Sequence, residues 1–294
     1  MITDDDSSLT ASQTPADDKP SKRHIATQRT LAVLPTLCTL GNGLCGFLAI
    51  FFSSRIPENA QLLWHWTPLT TGAIFVFMGM FFDTLDGRLA RLTRHTSNLG
   101  EQLDSMSDMV TFGVAPAYLV VQLVAVEIPF LSEQKDHIFD RTALAIACIY
   151  VACTALRLAR FNLNVKSNLT TDHMSFEGLP TPGAAGTVAS LVLLHQNLWA
   201  NNSGDNRWIT AASIAMVTIT LLTALAMVSR LSYVHLANRY LRERAPIQYI
   251  AIVVTIALLA LIHAQAALAT GFILYALSAP TLRLAGTIPF RPRP

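Results

Sequence analysis

The chain alternates long apolar stretches with short polar connections, and the stretches have the length that crosses a bilayer. A transmembrane helix needs about 20 predominantly apolar residues. The pattern predicts about eight spans, of which the last two share one apolar run broken by His263 and Gln265 and are therefore the weakest. The spans run roughly over residues 31–53, 67–85, 106–126, 141–160, 183–199, 208–229, 246–263 and 266–284. The predicted fold class is an all-α, polytopic membrane helix bundle.

Three regions follow from this pattern. Residues 1–28 are polar, first acidic and then basic, and they lack the apolar core of a cleaved signal peptide. We predict a disordered cytoplasmic tail there. We then predict a six-helix catalytic membrane domain over residues 29–229, followed by C-terminal membrane helices and a short tail over residues 230–294.

Composition and charge support the membrane assignment. Only 14% of the residues are charged, against about 25% in soluble domains, and the mean hydropathy is +0.41. If the tail is cytoplasmic, 17 of the 21 lysines and arginines fall on the cytoplasmic side of the predicted spans, as the positive-inside rule expects. We therefore predict an integral protein of a bacterial inner (cytoplasmic) membrane, with its N-terminus and active site facing the cytoplasm. The lipid bilayer is an expected partner and nucleic acid is not.

Four aspartates stand at helical spacing around the connection between the second and third spans. Asp83 and Asp86 are three residues apart, and Asp104 and Asp108 are four residues apart. Both spacings place a pair on one face of a helix. Because the connection is short, the two helices should be antiparallel neighbours, and their acidic faces can oppose each other across a cleft at the membrane surface.

Carboxylates in this position call for a compensating charge. An aspartate in a helix at bilayer depth costs about 2.5–3.5 kcal/mol, and less near the interface, and four converging negative charges repel one another. Two divalent cations would neutralise all four, and hard ions such as Mg²⁺ or Mn²⁺ prefer oxygen ligands. Two such ions can also hold the attacking and leaving oxygens of an in-line phosphoryl displacement. The pattern therefore predicts a site for two divalent cations.

Small and basic residues accompany the acids. Gly87 and Ala90 lie on the acidic stripe of the first helix and Gly100 lies on that of the second, and their small size leaves room for a ligand. Arg91, together with its neighbours Arg88 and Arg94, supplies positive charge for phosphate oxygens.

Other polar residues at the membrane boundaries are candidates for contacts with a substrate. Arg157 and Arg160 share a helix face at the end of the fourth span and could bind a carboxylate or a lipid phosphate. Ordinary anchoring by the positive-inside rule is an equal alternative for this pair. Asn42 and Asn162 are candidates for hydrogen bonds to a substrate.

Residues 82–108, FDTLDGRLARLTRHTSNLGEQLDSMSD, resemble the signature of the CDP-alcohol phosphatidyltransferase family, D-x2-D-G-x2-A-R-x8-9-G-x3-D-x3-D. All eight fixed positions are present, so a chance match is remote. The resemblance implies that the four aspartates bind two metal ions and that Asp108 is also the general base toward the acceptor hydroxyl. It implies transfer of a phosphatidyl group from CDP-diacylglycerol to an alcohol, with release of CMP, by a homodimer.

Three further runs resemble the branch of this family that uses serine as the acceptor. They are LPTLCTLGNGLCGF (34–47), LDSMSDMVTFGVAPA (103–117), and ALRLARFN (155–162) followed by FEGLPTPGAAG (176–186). They imply L-serine as the acceptor and phosphatidylserine as the product. The same chemistry with choline, glycerol 3-phosphate or inositol phosphate remains an alternative. A divalent-cation transporter is a third hypothesis, although its acids should be spread along several spans at mid-membrane depth.

Overall fold

A computed structural model describes residues 22–55, 66–93, 98–127, 138–167, 178–201, 206–229, 231 and 263–284. All regular secondary structure in these residues is helical, which agrees with the predicted all-α class. The helices are α1 (Lys22–Ser53), α2 (Pro68–Thr93), α3 (Asn98–Asp108), a π-helical segment (Met109–Val114), α4 (Ala115–Glu127), α5 (Ile138–Ser167), α6 (Thr181–Asn201), α7 (Asn206–Val228) and α8 (Ala264–Leu284).

Five described helical stretches are long and apolar enough to cross a membrane, and they support an integral membrane protein. They are Leu34–Ser53, Pro68–Leu92, Leu99–Ala125, Ile138–Leu163 and Thr210–Val228. The third combines α3, the π-helical segment and α4, which follow one another without a break. These stretches correspond to the first four predicted spans and to the sixth.

The remaining predicted spans have different outcomes, so the expected count of about eight is not reached in the described residues. The fifth and eighth predicted spans are helical, in α6 and α8, but neither is among the five apolar stretches. In α6 the cause is a run of strongly polar side chains near its end, including buried His195 and Gln196. The seventh predicted span, 246–263, lies outside the described residues except for its last position.

Two helix boundaries differ from the sequence-based expectation. Helix α1 begins at Lys22, so residues 22–28, which we assigned to the disordered tail, are helical. Helix α2 continues past the predicted span to Thr93. This extension matters for the site, because it places Asp83 and Asp86 on one uninterrupted helix.

The buried core lies in the middle of the bundle and contains side chains of α4 and α6. Leu119, Val120 and Leu123 of α4 and Val188 and Val192 of α6 are fully buried. Other large apolar side chains are exposed on the outside of the bundle, among them Leu37, Leu44, Phe47, Phe81, Leu156 and Leu222. Helices that are apolar on their outer faces as well as inside are what a lipid environment requires.

Candidate active site at the aspartate cluster

The structure brings the acids of α2 and α3 to one place. One carboxylate oxygen each of Asp83, Asp104 and Asp108 lie within 4.8 Å of one another. Asp86, one turn after Asp83 on α2, interacts electrostatically with the other three. We call these four residues the aspartate cluster.

The aspartate cluster is largely shielded from solvent, so its negative charges need a positively charged partner. Asp86 and Asp108 are only 5% and 8% exposed, and Asp83 and Asp104 are partly buried. Asp86 Oδ2 is buried and has no hydrogen-bond partner among the described residues. A buried carboxylate is stable only when it is paired, hydrogen-bonded or bound to a metal. An all-carboxylate donor set with an unsatisfied buried oxygen fits hard divalent cations such as Mg²⁺ or Mn²⁺.

Asp108 is held by a residue of the first helix. Asn42 of α1 is fully buried, and its Nδ2 donates a hydrogen bond of 2.9 Å to Asp108 Oδ1. Thr111 Oγ1, three residues after Asp108, donates to the backbone carbonyl oxygen of Asn42 at 2.8 Å. We predicted Asn42 as a substrate contact, and the structure places its amide on the carboxylate of Asp108. This geometry makes Asn42 a residue that orients Asp108.

The helix changes its pitch immediately after Asp108. The π-helical segment begins at Met109, and its residues Thr111, Phe112 and Gly113 are buried. Tyr150 of α5, also fully buried, donates its hydroxyl to the carbonyl oxygen of Phe112 at 3.1 Å. Single π-helical turns within α-helices are frequent at functional sites. Here the segment is fastened on one side to α1 and on the other to α5, which fixes the end of α3 that carries Asp108.

A glycine of α2 allows this helix to pack closely against the π-helical segment that follows α3. Gly79 lies one turn before Asp83 on α2. A Cβ atom at this position would collide with Thr111 Cγ2 and would lie 2.9 Å from Asn42 Oδ1. Both of those side chains are fully buried. The absence of a side chain at residue 79 therefore allows α2 to approach the Asn42–Thr111 contact beside Asp108.

Gly79→Ala should reduce stability, in contrast to the usual effect of alanine in a helix. We expect a loss of about 1–3 kcal/mol in the free energy of unfolding, because the added methyl group overfills a close-packed site. The matched control is Gly271→Ala on α8, where an added Cβ has no described neighbour within 4 Å. That change should be neutral or stabilising by up to about 1 kcal/mol, since alanine favours the helix. Thermal unfolding in detergent measures both variants, and equal midpoints would contradict the close approach at Gly79.

The small residues of the signature line an open part of α2. Among the residues described, a Cβ atom at Gly87 would approach only Arg91 Nη2, at 4.0 Å. Arg91 is exposed, and its Nε donates to the carbonyl oxygen of Gly87 at 3.0 Å. Ala90 and Gly100 are partly buried. The surface next to Asp86 is therefore accessible to a ligand, with a guanidinium at its edge.

Arg157 of α5 is partly buried and lies within electrostatic range of the aspartate cluster. It interacts electrostatically with Asp108, and its Nη1 donates to Thr181 Oγ1 at 3.0 Å. Its Nε is buried and has no hydrogen-bond partner in the described part of the chain. A buried guanidinium with an unused N–H group is suited to an anionic ligand.

The other two predicted acceptor residues make contacts between helices. Arg160 Nη1 donates to the carbonyl oxygen of Val228 at 3.4 Å, which links the end of α5 to the end of α7. Asn162 Nδ2 donates to Ser105 Oγ at 2.9 Å, next to Asp104 on α3. The structure therefore separates Arg157, at the cluster, from Arg160, and it places Asn162 against α3.

Sequence reasoning did not single out two residues near Arg157. Thr181 lies within the run 176–186 that resembles the serine branch of the family, but the sequence did not indicate that its hydroxyl contacts Arg157. Tyr275 of α8 interacts electrostatically with Arg157. No signal in the sequence pointed to Tyr275, because the apolar pattern of α8 does not reveal which helix it contacts.

These features define an all-helical membrane protein with a carboxylate site suited to divalent cations. The sequence pattern of the CDP-alcohol phosphatidyltransferase family matches residues 32–218, and the chain belongs to this family. The expected membership is thus confirmed, and the chain is assigned to a family of transferases. The matched region includes every residue of the aspartate cluster but ends before α8.

Several relatives are named CDP-diacylglycerol–serine O-phosphatidyltransferase. The chain is 36% identical to that of Bacillus subtilis over 151 residues, which cover 51% of this chain and 70% of the relative. It is 34% identical to that of Helicobacter pylori strain J99 over 164 residues, covering 56% and 59%. It is 36% identical to that of Saccharomyces cerevisiae over 176 residues, covering 58% and 56%. The chain thus spans less than two thirds of the length of the last two relatives.

Proposed function

We propose that this chain transfers a phosphatidyl group from CDP-diacylglycerol to L-serine and releases phosphatidylserine and CMP. The observation that carries the proposal is the convergence of Asp83, Asp104 and Asp108 within 4.8 Å, on the residues of the family signature. The names of the relatives from B. subtilis, H. pylori and S. cerevisiae support serine as the acceptor.

The four residues of the aspartate cluster would hold two divalent cations, Mg²⁺ or Mn²⁺. When bound, these ions would supply the positive charge that stabilises phosphate oxygens during an in-line displacement. The cluster supports this proposal because its carboxylates are shielded from water and one oxygen of Asp86 is unsatisfied among the described residues.

Asp108 is the proposed general base. It takes the proton of the serine hydroxyl as the serine oxygen attacks the phosphorus atom that bears the diacylglycerol. A new bond forms between phosphorus and the serine oxygen, the bond between that phosphorus and the CMP oxygen breaks, and CMP leaves. The hydrogen bond from Asn42 orients the carboxylate of Asp108 for this transfer.

The donor lipid is proposed to lie along the open surface of α2 and α3. Gly87, Ala90 and Gly100 permit the CDP group to approach the helix backbones, and Arg91 contacts its phosphates. The acyl chains remain in the bilayer. This arrangement requires that the nucleotide side of the site face the cytoplasm, where the basic residues concentrate.

The acceptor is proposed to bind at Arg157, and Arg160 and Asn162, at the same end of α5, are further proposed acceptor residues. The serine carboxylate would pair with the buried guanidinium of Arg157, which interacts with Asp108. Choline carries no anionic group and does not suit this residue. Glycerol 3-phosphate and inositol phosphate do carry one, so these two alcohols are the acceptors against which serine must be tested. A homodimer, expected from the family resemblance, is part of the same proposal.

A panel of acceptors tests the proposed activity. Purified protein in detergent, given CDP-diacylglycerol and Mn²⁺, should release CMP with L-serine and at most a few per cent as much with choline, glycerol 3-phosphate or inositol phosphate. Release with one of the other alcohols and none with serine would contradict the acceptor but keep the chemistry. Entry of Mn²⁺ into liposomes carrying the protein, without lipid turnover, would favour the transporter.

A further inference from the structure

The π-helical segment (Met109–Val114) changes the rotation of the helix between α3 and α4. At its end the backbone N–H of Ala115 donates to the carbonyl oxygen of Val110, five residues earlier, whereas an α-helix bonds residues four apart. Such a turn contains one residue more than an α-helical turn. Because one residue corresponds to about 100° of rotation, the side chains of α3 are turned by about that angle relative to a continuous α-helix.

This rotation brings the acidic face of α3 to the side of the helix that α4 buries. The buried side chains of α4 recur at helical spacing and include Pro116, Leu119, Val120 and Leu123. Counting back from them in steps of about 3.6 residues leads to positions 109 and 105. The aspartates of α3 stand one residue earlier, at Asp108 and Asp104. One additional residue in the intervening turn produces this offset, so the π-helical segment directs both aspartates into the bundle.

Pro116 provides a physical reason for the wider turn. In an α-helix, the N–H of residue 116 would donate to the carbonyl oxygen of Phe112. Proline has no N–H, and its ring clashes with the carbonyl group four residues earlier. A turn with one additional residue moves that carbonyl group away from the ring. Both Pro116 and Phe112 are buried, so bulk water does not replace the donor that proline lacks.

Tyr150 of α5 supplies a donor to the same carbonyl group. Its side chain is fully buried, and its hydroxyl donates to the carbonyl oxygen of Phe112 at 3.1 Å. A buried carbonyl group without a donor is costly, so this hydrogen bond stabilises the wide turn. The hydroxyl of Thr111, in the same segment, donates to the carbonyl oxygen of Asn42 at 2.8 Å. Two other helices therefore hold the segment.

We propose that Pro116 and Tyr150 are positioning residues of the aspartate cluster. Pro116 imposes the π-helical turn and Tyr150 holds it, and the turn directs Asp104 and Asp108 toward the acids of α2. Both residues act through the backbone of this helix. The inference rests on the proposed function, because it takes the aspartate cluster to be the site of the divalent cations.

Pro116→Ala separates a positioning role from a merely structural one. The added N–H can donate to the carbonyl oxygen of Phe112, so the thermal midpoint in detergent without divalent cations should be equal to or above that of the wild type. The Mn²⁺ concentration for half-maximal thermal protection should rise at least about tenfold, as for the loss of one charged ligand. Pro280→Ala, the same change inside α8, is the control and should leave this concentration within about twofold.

Tyr150→Phe tests the second residue while keeping its ring. The half-maximal Mn²⁺ concentration should again rise about tenfold, and CMP release at saturating Mn²⁺ should fall about 10–100-fold, since small misplacements of reacting groups have effects of this size. The control is Tyr118→Phe on α4, which removes a hydroxyl that accepts a hydrogen bond of 2.7 Å from Gln122 Nε2. It should leave the Mn²⁺ dependence unchanged.

The double variant Pro116→Ala/Tyr150→Phe tests whether the two residues act on the same turn. With alanine at residue 116 the backbone supplies a donor for the carbonyl oxygen of Phe112. Tyr150→Phe should then raise the half-maximal Mn²⁺ concentration by less than about twofold, instead of about tenfold. Independent, multiplying effects of the two substitutions would contradict a shared role.

Thermal protection by Mn²⁺ needs no substrate, so this inference and the proposed function can fail separately. An unchanged Mn²⁺ dependence in Pro116→Ala or in Tyr150→Phe would remove the positioning role of that residue. An equal rise in the control variants would overturn the inference as a general effect on stability. If Mn²⁺ protects the wild type but serine yields no CMP, the proposed reaction fails and the positioning role stands. Absence of any protection of the wild type would overturn both.

Discussion

Asp108→Asn should lower the rate of CMP release by about 10²–10⁴-fold while the protein remains folded. General-base catalysis contributes roughly 10²–10⁴-fold to a rate, and this change removes the base without changing the size of the side chain. The hydrogen bond from Asn42 Nδ2 can persist, because the amide oxygen of the substituted side chain still accepts it. Turnover should therefore be lost without loss of the local structure.

A stability measurement distinguishes this effect from unfolding. Without metal, the substitution removes one of four neighbouring negative charges, so the thermal midpoint in detergent should be equal to or above that of the wild type. Glu101→Gln is the matched control, since it makes the same change of charge at an exposed position on α3. It should retain activity within about twofold. Near-normal turnover in Asp108→Asn would remove Asp108 as the base.

Removal of divalent cations should abolish activity completely and reversibly. Treatment with EDTA leaves the carboxylates of the aspartate cluster without counter-charge, and their mutual repulsion in a shielded site is then uncompensated. Adding Mg²⁺ or Mn²⁺ should restore CMP release. The ions should also raise the thermal midpoint, because a ligand at 100 times its dissociation constant stabilises the folded state by about 2.7 kcal/mol.

The role of individual ligands can be read from the metal dependence. Asp86→Asn replaces a residue that is 5% exposed and has an unsatisfied Oδ2 among the described contacts. We expect at least about a tenfold higher Mn²⁺ concentration for half-maximal activity, as for the loss of one charged ligand. EDTA already saturated with Mg²⁺ is the control and should leave the enzyme active. Full turnover by protein shown to be metal-free by elemental analysis would contradict the metal site.

The spacing of the acids made the cluster predictable, whereas the residues that orient it were not. Asn42 and Asp108 are 66 positions apart, and the sequence suggested only that Asn42 is polar near a membrane boundary. Its contact with Asp108 depends on how closely α1, α2 and the π-helical segment approach. Gly79 permits the approach of α2, and its significance appears only when Thr111 is placed opposite it.

The number of membrane spans could also be predicted only in part from the sequence. Predominantly apolar helices such as α4 and α7 were recognised from composition alone, because lipid and the protein core both favour apolar side chains. Helix α6 is harder to assign, since His195 and Gln196 lower its hydropathy although both are buried and hydrogen-bonded, to Ser213 and Thr67 respectively. Hydropathy records the residue type, but not whether a polar group is satisfied.

The sequence by itself determined the family, the predominantly apolar helices, and the two pairs of aspartates on the faces of α2 and α3. These properties depend on residues three or four positions apart, and the geometry of a single helix relates such residues. Only the tertiary structure decided that Asn42 orients Asp108, that Arg157 bonds to Thr181 of α6, and that Arg160 bonds to the end of α7. Contacts between helices depend on the side-chain volumes and glycines at each crossing, and no periodicity along one helix identifies its partner.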